Sequence, residues 1–381
     1  MCRSVTPIQA GADRLTSSPN GRNQAGAHAG RTRRRRGRCR HPPRYPPGRD
    51  RPPNGVPITS TTISNDTSGY AELLAWIVDH APGPRLAVSI EGTRSYGIGL
   101  ARAAAAAGLI VLECEQPHRR TRRGKGKSDS IDAHLAVLAA LRLAADRLPT
   151  PRADGDREAL RILLGARQEM TSANTAQTNR LRALLLGGDD TDRALARGAL
   201  THTRLTELAR RRLPREASRE QATRHAEIRR LTLALRESAR ALKANRAQLH
   251  TIVEDLVPGL TKRPGIGPVS AAQAIVSFSH PGRCRNDAAF AALAGVNPLP
   301  ASSGRTVRHR LNRGGDRALN RALHTIAMTR MRTCPTTRAY VARRTAEGKN
   351  PTEIRRCLKR YIARHLYRTL TTSMAAEPQI S

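Results

Sequence analysis

The chain has 381 residues, 38% of them hydrophobic, enough to build real cores and to exclude disorder along its whole length. Lys and Arg number 67 against 30 Asp and Glu, a formal net charge of +37 that makes nucleic acid the natural partner. Aromatic residues make up only 2%, so stacking of bases on rings is excluded as the main binding contribution, and arginine must act on phosphate instead.

No apolar run approaches the ~18 residues of a membrane span, and the basic N-terminus lacks the apolar stretch of a secretory signal, so no membrane partner and a cytoplasmic location are expected. Six cysteines (Cys2, Cys39, Cys114, Cys284, Cys334 and Cys357) are scattered without a C-x-x-C pair, which speaks against a zinc ribbon or a disulfide framework and for free thiols.

Residues 1–60 hold 13 Arg, no Lys, 9 of the 24 Pro and one aromatic, Tyr45, so this stretch buries too little apolar surface to offset its ordering entropy and is expected to be disordered. Its run of Arg33, Arg34, Arg35, Arg36, Arg38 and Arg40 reads either as a polybasic arm or as the translation of frame-shifted or wrongly started codons.

From Val56 the pattern changes. VPITSTTIS predicts a β-branched strand, and Asp66 or Thr67 caps a helix carrying Tyr70, Leu73, Leu74, Trp76 and Ile77. A second strand is predicted over Leu86–Glu91, an alanine-rich helix over Ile98–Ala107 ending at Gly108, and a third, nearly continuous apolar strand from Leu109. This is a βαβ unit, which predicts parallel strands covered by helices. A basic loop, His118–Lys127, leads to Ser128 as N-cap of a further helix. Pro149 and Pro151 mark a boundary, after which helical leucine spacing over 155–256, interrupted near Gly187–Asp192 and at Pro214, predicts long helices packed as an antiparallel hairpin or coiled coil. From Thr261, a Pro-Gly-Ile-Gly turn between two helices places Gly265 and Gly267 where the backbone can approach a phosphate at a helix N-terminus. Short helices follow, the last of them strongly basic.

Three acids stand out. Glu91 ends a buried strand, where it is either solvated at the strand mouth or bound to a metal. Asp129 and Asp132, three positions apart, share one side of a helix start, a place that acids also favour through the helix dipole alone. Together they offer the hard oxygen ligands that hold Mg²⁺ against a phosphodiester. Ser302 and Ser303 precede Gly304 in a loop rich in Arg305, Arg308, Arg310, Arg313 and Arg317. Such a serine is either a turn former or phosphate ligand, or a nucleophile whose pentavalent phosphorus the arginines stabilise.

IEGTRSYG at Ile90, GKSDSIDAH at Gly126, PGIGPVSA at Pro264 and SSGRTVRHRLNRGGDRALNRALH at Ser302 resemble the DEDD-type insertion-sequence transposases of the IS110 (IS116/IS110/IS902-like) family, over roughly residues 56 to 370. The resemblance implies an α/β plus α chain: a ribonuclease-H-like (Holliday-junction-resolvase-like) domain, a helical coiled-coil linker, and an all-α C-terminal transposase domain with a helix-hairpin-helix. On this chain it implies a disordered segment 1–55, a ribonuclease-H-like domain 56–148, the linker 149–258, the C-terminal domain 259–372 and a tail 373–381. It further implies Mg²⁺, DNA (element ends and target), a guide RNA and a homo-oligomer, dimer or tetramer. Carried over by motif, Glu91, Asp129 and Asp132 match the last three letters of DEDD. Ser303 matches the serine that attacks DNA, with Ser302 as the alternative. Gly265, Gly267 and the five arginines fall to nucleic-acid binding. The first Asp, on a first apolar strand, has no counterpart in residues 1–60: Asp50 is the nearest acid, flanked by Arg and Pro that cannot make a buried strand. The domain is therefore expected to lack its first strand, and two outcomes follow: a transposase or recombinase that cuts and rejoins DNA, or an inactive remnant that only binds nucleic acid.

Overall fold

The computed structural model describes residues 6–10, 22–23, 61, 63–80, 86–91, 93, 96–114, 151–152, 155–300 and 309–375. The chain divides into two compact units, Met1–Arg152 and Ala153–Ser381.

In the first unit, strands β1 (Thr6–Ala10), β4 (Leu86–Glu91) and β5 (Ile110–Cys114) form a parallel sheet in the order β1-β4-β5, and a short antiparallel pair joins β2 (Arg22–Asn23) to β3 (Ile63–Ser64). Helix α1 (Thr67–His80) starts where the Asp66 carboxylate accepts from the Gly69 amide at 2.9 Å and from the Ser68 hydroxyl at 2.8 Å. Leu73 and Ile77 of α1, Leu100, Ala101 and Ala104 of α2 (Ile98–Ala106), and Val88, Ile90 and Val111 of the sheet share one core. The β-α-β order read from the sequence is present.

The first strand departs from expectation. Thr6–Ala10 pairs with β4 in parallel register, Ile8 opposite Val88 and Ala10 opposite Ile90, so the sheet does not lack a strand on that side. Among the described strands β1 lies at the sheet edge, where Pro7 costs no ladder hydrogen bond on the open side, and this is why a proline-bearing segment can serve. Its residues, Thr6, Pro7, Ile8, Gln9 and Ala10, include no acid. Within residues 1–55, expected to be disordered, β1 and β2 are thus described. Of the strand expected from Val56, Ile63–Ser64 lies among the described residues, and Asp66 caps α1 two positions later.

The second unit is built on two long helices, α3 (Asp156–Leu186) and α6 (Arg219–Leu256). They run antiparallel: the Asn245 side-chain amide donates to the Leu163 carbonyl at 2.9 Å near one end, while Leu181 and Leu185 pack with Ile228, Leu231 and Leu235 near the other. The interruptions read at Gly187–Asp192 and Pro214 become a tip. There α4 (Asp190–Arg197) is capped by Asp189, and α5 (His202–Arg210) by Thr201. Ser218 and Gln221 cap α6 reciprocally.

At the opposite end, Leu160, Leu249 and Val253 of the long helices enter a core shared with α7 (Pro268–Phe278), α8 (Asp287–Leu293), α9 (Arg317–Thr333) and α11 (Pro351–Met374). Both phenylalanines of the chain sit there: Phe278 and Phe290 meet edge to face at 6.0 Å, and Tyr367 closes the triangle 5.9 Å from Phe278. Between α8 and α9 lies a two-stranded antiparallel ladder, β6 (Pro298–Pro300) and β7 (His309–Leu311), and α10 (Pro335–Ala346) connects α9 to α11.

Candidate nucleic-acid interface

The turn between α6 and α7 is fixed by a carboxylate side chain. Glu254, in the last turn of α6, accepts from the Gly259 amide at 2.7 Å, the Thr261 amide at 3.2 Å and the Thr261 hydroxyl at 2.5 Å. The Thr261 hydroxyl first, and the Gly259 amide next, hold its carboxyl below the ordinary range. The chain then passes through a short 3-10 turn, Leu260–Lys262, to Gly265. Gly265 has φ +75°, and a Cβ there would fall 2.6 Å from Arg330 Cγ and 2.9 Å from the Ile326 carbonyl oxygen. Handedness and the close approach of α9 both require glycine. Ile266 turns inward and is buried. The Gly267 amide donates to the Ser270 hydroxyl at 3.1 Å, so close backbone approach and the surrounding cations are what this turn offers a phosphate.

Those cations come from four places. A concavity of about 1000 Å³ lies over the turn, lined by Arg161 of α3, Arg246 of α6, Lys262 and Arg263 of the turn, and Arg321 of α9. Arg167, also on its wall, donates to the Leu242 carbonyl at 3.1 Å, and burial followed by the nearby Arg246 lowers its pKa. Arg263 contacts His365 Nε2. Burial first, then the Arg263, Arg330 and Arg368 charges, push His365 down towards the neutral form that can accept this bond. Among the described residues Arg246, Lys262 and Arg321 have no carboxylate within ion-pair distance, whereas Arg161 is paired with Glu158 at 2.6 Å. Such an array attracts a polyanion and gains strength as counterions are released.

The residues singled out in the sequence fall unevenly. Gly265 and Gly267 line the concavity. Arg310 lies on β7 and is exposed, as are Arg313 in the following turn and Arg317 at the start of α9. Ser302, Ser303, Arg305 and Arg308 lie outside the described residues, in the connection between β6 and β7. Glu91 is the last residue of β4, aligned with Cys114 of β5. Asp129 and Asp132 lie outside the described residues. Among the described residues of the adjoining strands, β1 has no acid, and Glu113 of β5 is held by Arg152 at 3.1 Å. Among the described residues no three His, Cys, Asp or Glu side chains are placed to share an ion.

Some of the last motif proves to be architecture. Asp316 caps α9, its Oδ1 accepting from the Ala318 and Leu319 amides at 2.8 and 3.0 Å, while its Oδ2 accepts from the Ser277 hydroxyl at 2.7 Å. Asn312 donates to Asn297 at 2.7 Å and to the Ala292 carbonyl at 3.2 Å, tying β7 to the chain before β6. Asn320 donates to the Ala294 carbonyl at 2.7 Å. These bonds hold the two ends of the serine-bearing connection. The cations of the concavity were missed in the sequence because three helices and a turn supply them, and only the Lys262-Arg263 pair next to the Pro-Gly-Ile-Gly turn gave a local signal.

A DEDD-type IS110 family model, described as "Transposase", matches residues 52–188. A second model, described as "Transposase IS116/IS110/IS902 family", matches residues 258–342. The chain is 27% identical over 271 residues to "Insertion element IS110 uncharacterized 43.6 kDa protein" of Streptomyces coelicolor, covering 60% of this chain and 67% of the relative. It is 27% identical over 351 residues to "Insertion element IS900 uncharacterized 42 kDa protein" of Mycobacterium paratuberculosis, covering 78% of this chain and 85% of the relative. The DEDD match implies a ribonuclease-H-like fold for the first unit, with which the parallel β1-β4-β5 sheet is consistent. Two models in succession and two insertion-element relatives agree, and the chain belongs to the IS110 family of transposases.

Proposed function

We propose that this transposase cuts and rejoins DNA with Ser303 as nucleophile, Ser302 being the alternative. The observation that carries the reading is the succession, in one chain, of a DEDD-type match and a C-terminal transposase match, the latter spanning the serine connection and reaching the basic turn at Gly265. Glu91, Asp129 and Asp132 would hold Mg²⁺. Their donor chemistry suits it, since all three are hard carboxylates, one fewer than the family's four. Such an ion, when bound, polarises a phosphodiester oxygen and stabilises charge at the scissile phosphorus. Ser303 supplies the attacking hydroxyl, and Arg305, Arg308 and Arg310 offset the charge on the phosphate oxygens. Lys262, Arg263, Arg246 and Arg321 grip the sugar-phosphate backbone at the turn that holds Gly265 and Gly267. The long helices α3 and α6 serve as a coiled-coil linker, α6-turn-α7 as a helix-hairpin-helix, and the protein works as a homo-oligomer with a guide RNA from the element.

Strand exchange between cognate element ends and target, with that RNA and Mg²⁺ supplied, tests the reading. The wild-type chain should yield recombinant product and a serine-linked DNA intermediate, and Ser303→Ala should yield neither. Equal activity after Ser303→Ala would remove this serine from the chemistry. Retained activity in Glu91→Gln and Asp132→Asn would remove the acids.

A further inference from the structure

Besides the concavity at the helix turn, the second unit has another basic recess. The β6–β7 ladder faces α11 across a groove of about 650 Å³, whose walls include Arg310 and Leu311 on the ladder side and Lys349, Arg356, Lys359 and Arg360 on the helix side. Helical spacing explains the second wall. Ile354, Leu358, Ile362, Leu366 and Leu370 form the stripe that α11 buries in the core, which leaves positions 353, 356, 357 and 360 on an adjacent stripe open to the groove.

The charge in this groove is not balanced from within. Among the described residues Arg310, Lys349, Arg356, Lys359 and Arg360 form no ion pair, and the one acid on the wall, Glu353, accepts from the Asn350 amide at 3.1 Å as part of the α11 cap. Lys359 is only partly exposed, and it donates to a neutral amide oxygen, Asn320 Oδ1, at 2.5 Å. Burial, followed by the neighbouring Arg355, lowers its pKa. Five cations collected on two facing walls repel one another unless an anion of matching length lies between them. Val296, Pro298 and Leu311 add apolar surface to the same walls, which suits a ligand whose charge alternates with flat, less polar rings. The ladder is also what brackets residues 301–308: Pro300 and His309 are paired across it, so the groove begins beside the two ends of the serine connection.

We propose that this groove binds a single DNA strand, its phosphates on Lys349, Arg356 and Arg360, and leads that strand to the serine connection. The proposal rests on the reading of Ser303 as nucleophile. It adds to it a positioning surface on α11, distinct from the concavity over Gly265. A volume of this size holds about two nucleotides of one strand and not a duplex, whose grooves and width are on the order of 10 Å or more.

Cys357, partly exposed on the same wall, provides a reporter. The full-length chain is incubated with short single-stranded DNA carrying a pyridyl-disulfide tether on one phosphate. The Cys357 thiolate attacks the tether sulfur, a protein-DNA disulfide forms and thiopyridone leaves, giving a covalent complex visible without reductant, the share of it formed at Cys357 being lost in Cys357→Ser. The expected result is efficient capture of the single strand and weaker capture of the same DNA as duplex. The double variant Arg356→Glu, Arg360→Glu alters exposed side chains only and should keep its helical circular dichroism. Its affinity for single-stranded DNA should fall at least roughly tenfold, and the slope of log Kd against log salt should drop by about 1.4, roughly 0.7 for each phosphate contact removed from a single strand. The proposal is overturned if the wild-type chain binds the probe without Cys357-dependent capture, if the double variant binds with unchanged affinity and slope, or if RNA of the same sequence is captured in preference to DNA. Capture at Cys357 together with wild-type recombination by Ser303→Ala would uphold the groove and remove the serine. Serine-dependent recombination without capture would do the reverse.

Discussion

Gly315 lies so close to Gly295 that a Cβ built on it would fall 2.3 Å from the Gly295 nitrogen and 2.8 Å from the Leu293 carbonyl oxygen. The contact joins the chain entering α9 to the chain leaving α8, and the next residue reinforces it: the Asp316 amide donates to the Leu293 carbonyl at 2.7 Å. Between these two points run β6, the serine connection and β7, so the spacing of the two glycines sets where that connection begins and ends.

Gly315→Ala forces backbone against backbone, with no flexible side chain to give way. We expect a loss of about 1–3 kcal/mol in denaturant unfolding, the usual range for overpacking. Strand exchange should fall further than the stability loss accounts for, because the serine connection is displaced. Wild-type stability would show that the α8–α9 approach is not rigid.

Phe278→Ala removes the ring shared by Phe290 and Tyr367 at the centre of the C-terminal core, where Phe278 is 1% exposed. The expected cost is about 3–5 kcal/mol, transfer and cavity contributions together. Thermal unfolding followed by circular dichroism would register it. A loss under ~1 kcal/mol would mean that the surrounding helices collapse onto the space.

The pH dependence of the turn at Gly265 follows from Glu254. Its folded-state pKa lies below the ordinary 4.5 because the Thr261 hydroxyl, then the Gly259 amide, bind the ionised form. A depressed carboxyl contributes stability that is complete above its unfolded pKa and is lost as pH falls through its folded pKa. Wild type should therefore exceed Glu254→Gln in denaturant midpoint at neutral pH, and the gap should close in acid below pH 4.5. A gap that persists unchanged in strong acid would show that the carboxylate charge is not what fixes the turn.

Arg246→Ala and Arg321→Ala remove exposed cations from the concavity without breaking an ion pair among the described residues. Each should weaken DNA binding alike across unrelated sequences and lower the salt slope by about 1. A sequence-dependent loss would place these residues at base edges instead.

Much of this is legible in the sequence. The β-α-β order of the first unit follows from apolar strands alternating with a helix capped at Asp66 and an alanine-rich helix closed by Gly108. The arm of α3 and α6 follows from leucine spacing broken at Gly187 and Pro214. Strand β1 was not legible, because TPIQA is five residues long, holds a proline and sits in an arginine-rich setting, and only pairing with β4 makes it a strand. The concavity was not legible either, since Arg161, Arg246 and Arg321 converge through tertiary packing that no local spacing records. The Gly315-Asp316 step was read as part of a charged motif, yet its work is steric and directional: a close backbone contact, a helix cap and a bond to Ser277.

The two ends of the long helical arm keep separate apolar clusters, Leu181 and Leu185 with Ile228 and Leu231 at the tip, Leu160 with Leu249 and Val253 at the base. At 1.5 Å per residue, α3 alone spans roughly 45 Å. Changes in arm length by whole helical turns would leave both anchor points intact, so reach is a quantity that selection or an engineer can alter without retuning either end.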